Sequence, residues 1–305
     1  MKRYLFPLFL LLALALSGQD AKEKPFPACF PADTMVVLRI DAAQLMDQRL
    51  FQDFLGAKVE GMDAFFQKVQ TWTGINLGTL TDVWVGVQKK DHTVLVLKGD
   101  FDLQLIQSTV LNIDTAQVVQ RPGVPFAVTL PDNKKPGQFN LAALLDKKTL
   151  VFGKPDLVDG FLACLKGNGK GLAPEMAARS VGLMKNKQLL SVLLTSLPAS
   201  EIRKNPWLSL MTHVQGSADA TEKDLVLEAR IGLAKPEMRE PATKAVEGVR
   251  DVYGLLDNNL RKLGPLKEMV LEGITVKPDD KDLVLQLAVP MDVAERLIRQ
   301  KLNLP

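Results

Sequence analysis

The string Lys223-Asp224-Leu225-Val226-Leu227-Glu228 returns later in the chain as Lys281-Asp282-Leu283-Val284-Leu285-Gln286. Each copy follows a polar turn, Ala220-Thr221-Glu222 in the first case and Lys277-Pro278-Asp279-Asp280 in the second. Each turn in turn follows another short run, Val214-Gln215-Gly216 or Leu271-Glu272-Gly273. Two strand-like runs about a turn read as a hairpin. Thr93-Val94-Leu95-Val96-Leu97, after Lys89-Lys90-Asp91-His92, is a looser third member. Strands joined this way run antiparallel, whereas a parallel sheet needs long crossovers. The recurrence therefore argues against the doubly wound layout of nucleotide-binding α/β folds.

Further strands are expected over residues 35–40, 83–87, 117–120 and 126–130, and a second first-half hairpin pairs 139–145 with 149–152 about Asp146-Lys147-Lys148. Helical spacing follows the hairpins, over residues 103–110, 156–165, 237–263 and 291–302. The longest stripes are Leu45, Phe54, Val59, Phe66 and Val69 in residues 45–72, and Ala242, Val249, Val252, Leu256 and Leu260 in 237–263. One-sided helices of that length need an apolar cover. The expected fold class is thus α+β, with antiparallel sheets covered by long amphipathic helices as tandem strand-strand-helix units in two similar halves.

Lys166-Gly167-Asn168-Gly169-Lys170-Gly171 divides the chain. The expected organisation is a signal peptide at 1–17, an extended N-terminal segment at 18–34, a first α+β domain at 35–166, a linker at 167–176 and a second α+β domain at 177–305. Lys2 and Arg3, an apolar run from Leu5 to Leu16 and the small-x-small Ala15-Leu16-Ser17 make up the signal. No integral membrane segment is expected after cleavage. The best later run, residues 189–197, is short and interrupted by Ser191, Thr195 and Ser196.

Of 38 Lys and Arg against 35 Asp and Glu, Lys2 and Arg3 leave with the signal, so the mature chain is near neutral. A nucleic-acid partner calls for a concentrated excess of cations, and none is expected. Cys29 and Cys164 enter an oxidising compartment together, where they either form a disulfide or remain two buried thiols. None of the ten Asn residues heads an Asn-x-Ser/Thr sequon, which favours a bacterial periplasmic or secreted setting.

Candidate chemistry is sparse. His92 beside Asp91 reads as a turn residue and His213 as a strand-entry residue, and neither has metal-site spacing. Gly216-Ser217 lacks the rest of a nucleophile elbow. Gly167 to Gly171 has the glycines of a phosphate loop but follows a helix, and Lys170 precedes no Ser or Thr. Asp279, Asp280 and Asp282 fit a charged turn better than a calcium loop, and Asp100 and Asp102 fit a helix cap. Trp72, Trp84 and Trp207 are dispersed.

No catalytic residue, cofactor or metal is therefore assigned. The expected function is that of an exported non-catalytic protein with a binding or envelope-structural role, whose partner is a protein or envelope component. The alternative is a carrier of an apolar, lipid-like ligand held between helices and sheet, and a hydrolase comes third. Expression in a bacterial host with the native leader should yield a processed chain beginning just after Ser17, read by N-terminal sequencing. A soluble periplasmic product still carrying Met1 would contradict the signal assignment.

Overall fold

The computed structural model describes residues 24–48, 51–52, 67, 69–71, 73–89, 92–113, 115–132, 137–185, 188–196, 202–203, 206–244, 273–279 and 282–302. Strand β1 (Val36–Asp41) alternates buried Val37 and Arg39 with half-buried Val36, Leu38 and Ile40, so both its faces need cover. Both its edges are paired as well. β2 (Leu80–Lys89) lies on one side, with Val37 opposite Gly86, and β8 (Leu190–Leu194) on the other, with Val37 opposite Leu193.

Outward from β2 come β3 (His92–Gly99), β7 (Thr149–Gly153), β6 (Phe139–Asp146), β5 (Phe126–Pro131) and β4 (Gln117–Val118). Outward from β8 come β9 (Met211–Ala220), β10 (Asp224–Leu233), β12 (Asp282–Pro290) and β11 (Ile274–Asp279). Every neighbouring pair is antiparallel. Residues 224–228 and 282–286 of the recurring string fall on the neighbouring strands β10 and β12, whose antiparallel register overlaps them only where Glu228 is opposite Gln286.

This overturns the expected fold class. The described residues form one twelve-stranded antiparallel sheet rather than separate sheets roofed by long helices in two halves. Their named helices are short, none exceeding the 12 residues of α4 (Pro174–Lys185) and α5 (Met291–Leu302). Most of the two long helical stripes, in 45–72 and 237–263, lies outside the described residues. The error has a physical source. Hairpin signals are local, whereas the β1–β8 pairing joins distant runs whose unpaired edges would each expose a row of N–H and C=O groups.

Alternation along the strands gives the sheet two apolar faces in its first part. Val37, Trp84, Val96, Val151 and Leu141 share a core with a 3-10 turn at Phe26–Cys29 and with α3 (Pro155–Leu165), and α4 packs against that turn. On the opposite face Leu80, Val128, Leu144 and Leu150 pack with α1 (Ala42–Asp47) and α2 (Leu103–Leu111). The helix starts are encoded locally: Asp41 accepts from Gln44 N–H, Asp102 accepts from Leu105 N–H, and Pro155 opens α3.

The glycine-rich stretch after α3 is closely packed. A Cβ on Gly171 would meet the Ala28 carbonyl oxygen and the Cys164 sulfur, while Leu172 N–H donates to Ala28 O at 3.1 Å. Both sheet edges are blunted: β4 has two residues, and β11 carries Lys277 and Pro278.

Phe161 is fully buried, its ring 5.6 Å from that of Phe30. Phe161→Ala should cost about 3–5 kcal/mol in a urea unfolding curve, the range for deleting a buried Phe. Gly171→Ala should cost about 1–3 kcal/mol through overpacking. A neutral result at both positions would mean that the turn, α3 and the sheet do not share one core.

Candidate functional site

Three places among the described residues gather side chains that could act on something outside the fold. The first is an apolar chamber of about 220 Å³ between α2 and the sheet. Helical spacing puts Ile106 and Val110 on the inner side of α2, and strand alternation points Leu95 and Leu97 of β3, Val128 of β5 and Leu144 of β6 toward them. Thr73 also lines it, but its hydroxyl donates to Val69 O at 2.7 Å. Ile113 is 37% exposed beside the chamber. Such a space can hold hydrocarbon by excluding water and offers no proton donor or metal ligand.

The second is a polar cavity of about 340 Å³ over the other face, lined by Phe26, Arg39, Asp82, Trp84, Lys98 and Lys148, among others. Arg39 is 7% exposed. It donates to Asp82 at 2.8 Å and Asp41 at 3.4 Å, and its guanidinium carbon stands 6.0 Å from the Trp84 ring centre. Lys98 donates to Thr149 Oγ1 at 2.7 Å and lies 4.7 Å over the Phe26 ring. Burial lowers the Lys98 pKa, opposed by the negative charges of Asp146 and Asp82. One buried cation, Arg39, is thus neutralised by two partly exposed carboxylates, an arrangement that fixes the strand ends and leaves no unpaired charge at Arg39.

The third surrounds His213 on β9, whose side chain is 1% exposed. Its Nδ1 is 2.9 Å from Thr212 Oγ1, and its Nε2 is 3.8 Å from Asp282 Oδ1. The other Asp282 oxygen lies 3.7 Å from Arg179 of α4. The ring lies over Gly232 of β10, where any Cβ would strike it. Burial lowers the His213 pKa first and nearby Arg179 lowers it further, against Asp282 and Glu175. A histidine between a hydroxyl and a carboxylate has the outline of a nucleophilic triad. However, the carboxylate is beyond hydrogen-bond distance, and Arg179 both competes for it and weakens the imidazole as a base. The cluster fits a tie between α4 and the β9–β12 strands better than a proton relay.

The other singled-out residues are scattered. His92 heads β3 opposite Lys89, with three strands between it and β9. Asp279 pairs with Arg230 at 2.7 Å, Asp282 joins the His213 cluster, and Asp280 lies outside the described residues. Among the described residues no group of three or more His, Cys, Asp or Glu gathers as a metal site. Ser217 sits mid-strand opposite Glu228. Trp84 is in the core; Trp72 and the side chain of Trp207 lie outside what is described. Cys29 and Cys164, from distant parts of the chain, share one core and are wholly buried. Arg39 and Lys98 went unnoticed in the sequence, although a lone charge inside Val36-Val37-Leu38-Arg39-Ile40 was the available signal.

No family model matches the chain, and no curated protein matches it. Solved structures do. Crystal form III of TP0453 superposes with a TM-score of 0.52 at 9% identity, covering 92% of this chain and 99% of the other. Crystal form IV gives 0.52 at 10% identity, with 92% and 99% covered. At such identity the likeness shows a shared fold alone. No helix among the described residues is long and apolar enough to cross a membrane.

Because His213 is held neutral in the fold, the unfolded chain binds a proton that the folded chain refuses between the ordinary histidine pKa of about 6.5 and its lowered value. Stability should therefore fall as pH drops through that window and level off below it. Urea midpoints between pH 7 and pH 5 should show a shallower fall in His213→Gln than in the parent. Identical slopes would remove His213 from the account.

Proposed function

We propose that the protein is an exported, non-catalytic binding protein of the cell envelope whose ligand carries an apolar chain that lodges in the chamber beneath α2. The observation that carries this reading is the chamber itself, about 220 Å³ walled almost wholly by aliphatic and aromatic side chains. Protein interiors are packed to near-crystalline density, and voids much larger than a water molecule are few. A fully enclosed apolar cavity of about 150 Å³ already stays dry and binds benzene, and this one is open on the side of Ile113.

Here the space is larger, yet below the roughly 300–1,000 Å³ of sites that engulf a drug-sized molecule. It suits a single acyl chain or a buried apolar side chain of a partner, with the polar part of the ligand outside. Export is supported by the Lys2-Arg3 start, the Leu5 to Leu16 run and Ala15-Leu16-Ser17.

Native mass spectrometry of the processed chain, purified without detergent from bacterial periplasm, should show a bound apolar molecule. A fluorescent fatty-acid analogue should bind to the stripped protein. Ala142→Phe, which projects a ring into the chamber, should weaken that binding at least tenfold while the thermal midpoint moves by only a few degrees. A stripped, folded protein that takes up no fatty acid, or a variant that binds it unchanged, would overturn the assignment.

A further inference from the structure

We propose that Cys29 and Cys164 are a structural disulfide pair, closed in the mature exported protein and clamping the 3-10 turn Phe26–Cys29 onto the C-terminal end of α3. They are the only two cysteines in the chain, and both are 0% exposed. The segments bearing them are held together independently of the sulfurs. Leu172 N–H donates to Ala28 O, the Ser180 hydroxyl of α4 donates to Pro27 O at 3.0 Å, and a bridge joins Pro31 to Gly171.

Gly171 passes between the Ala28 carbonyl and the Cys164 sulfur with no room for a Cβ, which brings the residue before Cys29 against Cys164. Both thiols are free in the structure, the Cys29 thiol donating to Pro25 O at 3.8 Å, and both sit in the same wholly buried core. Buried thiols of unrelated function are usually surrounded by hydrocarbon as small apolar groups. Two that share one core, with Ala28 O and the Cys164 sulfur both lying against Gly171, are placed for a bond.

Closure is an oxidation. One thiolate attacks a donor disulfide, the second cysteine displaces the donor from the mixed disulfide, and two electrons pass to the donor, which leaves as a dithiol after taking up two protons. The folded Cys29 thiol is a poor starting point. Burial above all, and then its contact with Cys164, push its pKa well above the ordinary range. Both sulfurs are wholly shielded in the fold, so a donor disulfide reaches them only while the turn is undocked.

The closed loop contains β1 through β7, and long loops restrict the unfolded chain most in the chain-entropy account. The clamp also reaches the polar cavity. Phe26, on the same turn, packs edge-on against Trp84 at 5.2 Å and lies beneath Lys98.

Closure in the cell rests on the export reading above, and the test separates the two. Full chain unfolded under reducing conditions is refolded with oxidised and reduced glutathione, then mapped by non-reducing peptide mass spectrometry. The expected product is a peptide pair joining Cys29 to Cys164, lighter by two hydrogens. Its urea midpoint should drop on adding reductant, while that of the Cys29→Ser, Cys164→Ser double variant stays put.

Refolding to the native fold with both thiols still open to alkylation in denaturant would overturn the pairing. The same chain expressed with its own leader gives the second arm. If it is processed, periplasmic and fully reduced, the proposal is overturned. If it stays in the cytoplasm while the refolded protein cross-links, the export reading has failed and the pairing stands.

Discussion

The pairing of β1 with β8 is the contact on which the rest of the structure depends. Five backbone positions, from Val36 opposite Leu194 to Ile40 opposite Leu190, join runs from distant parts of the chain. Unmade, each run would present a row of unpaired amides and carbonyls at an exposed edge. Made, it turns two sets of hairpins into one sheet whose remaining edges are the two-residue β4 and the proline-bearing β11.

That continuous sheet sets the chemistry available on each side. On one face the 3-10 turn, α3 and α4 close over Val37, Trp84, Val96 and Val151, where Arg39 is held by Asp82 and Lys98 by the Thr149 hydroxyl and the Phe26 ring. On the other, α2 lies over β3, β5 and β6 and leaves the apolar chamber. The polar cavity and the chamber thus differ in kind because strand alternation sends Lys98 to one side and Leu97 to the other.

Much of the local structure was legible in the residues. Asp102 caps α2, Asp146 turns the β6–β7 hairpin by accepting from Lys148 N–H at 2.6 Å, and the recurring Lys-Asp-Leu-Val-Leu string marks two adjacent strands. The sites were less so. His213 reads as an ordinary strand-entry residue until β12 brings Asp282 beside it and α4 brings Arg179. The glycines at 167, 169 and 171 signal flexibility by composition. In the fold, Gly171 serves close approach, because the chain must pass between Ala28 and Cys164.

By itself the sequence determined that hairpins recur along the chain, that charged turns punctuate them, and that α2 and α3 begin where Asp102 and Pro155 stand. These follow from interactions within a few residues. Only the tertiary structure decided that the hairpins share a single sheet, that Cys29 and Cys164 are buried in one core, and that α2 leaves a hollow above β3. Each of those depends on contacts between segments far apart in the chain, whose register no local pattern specifies.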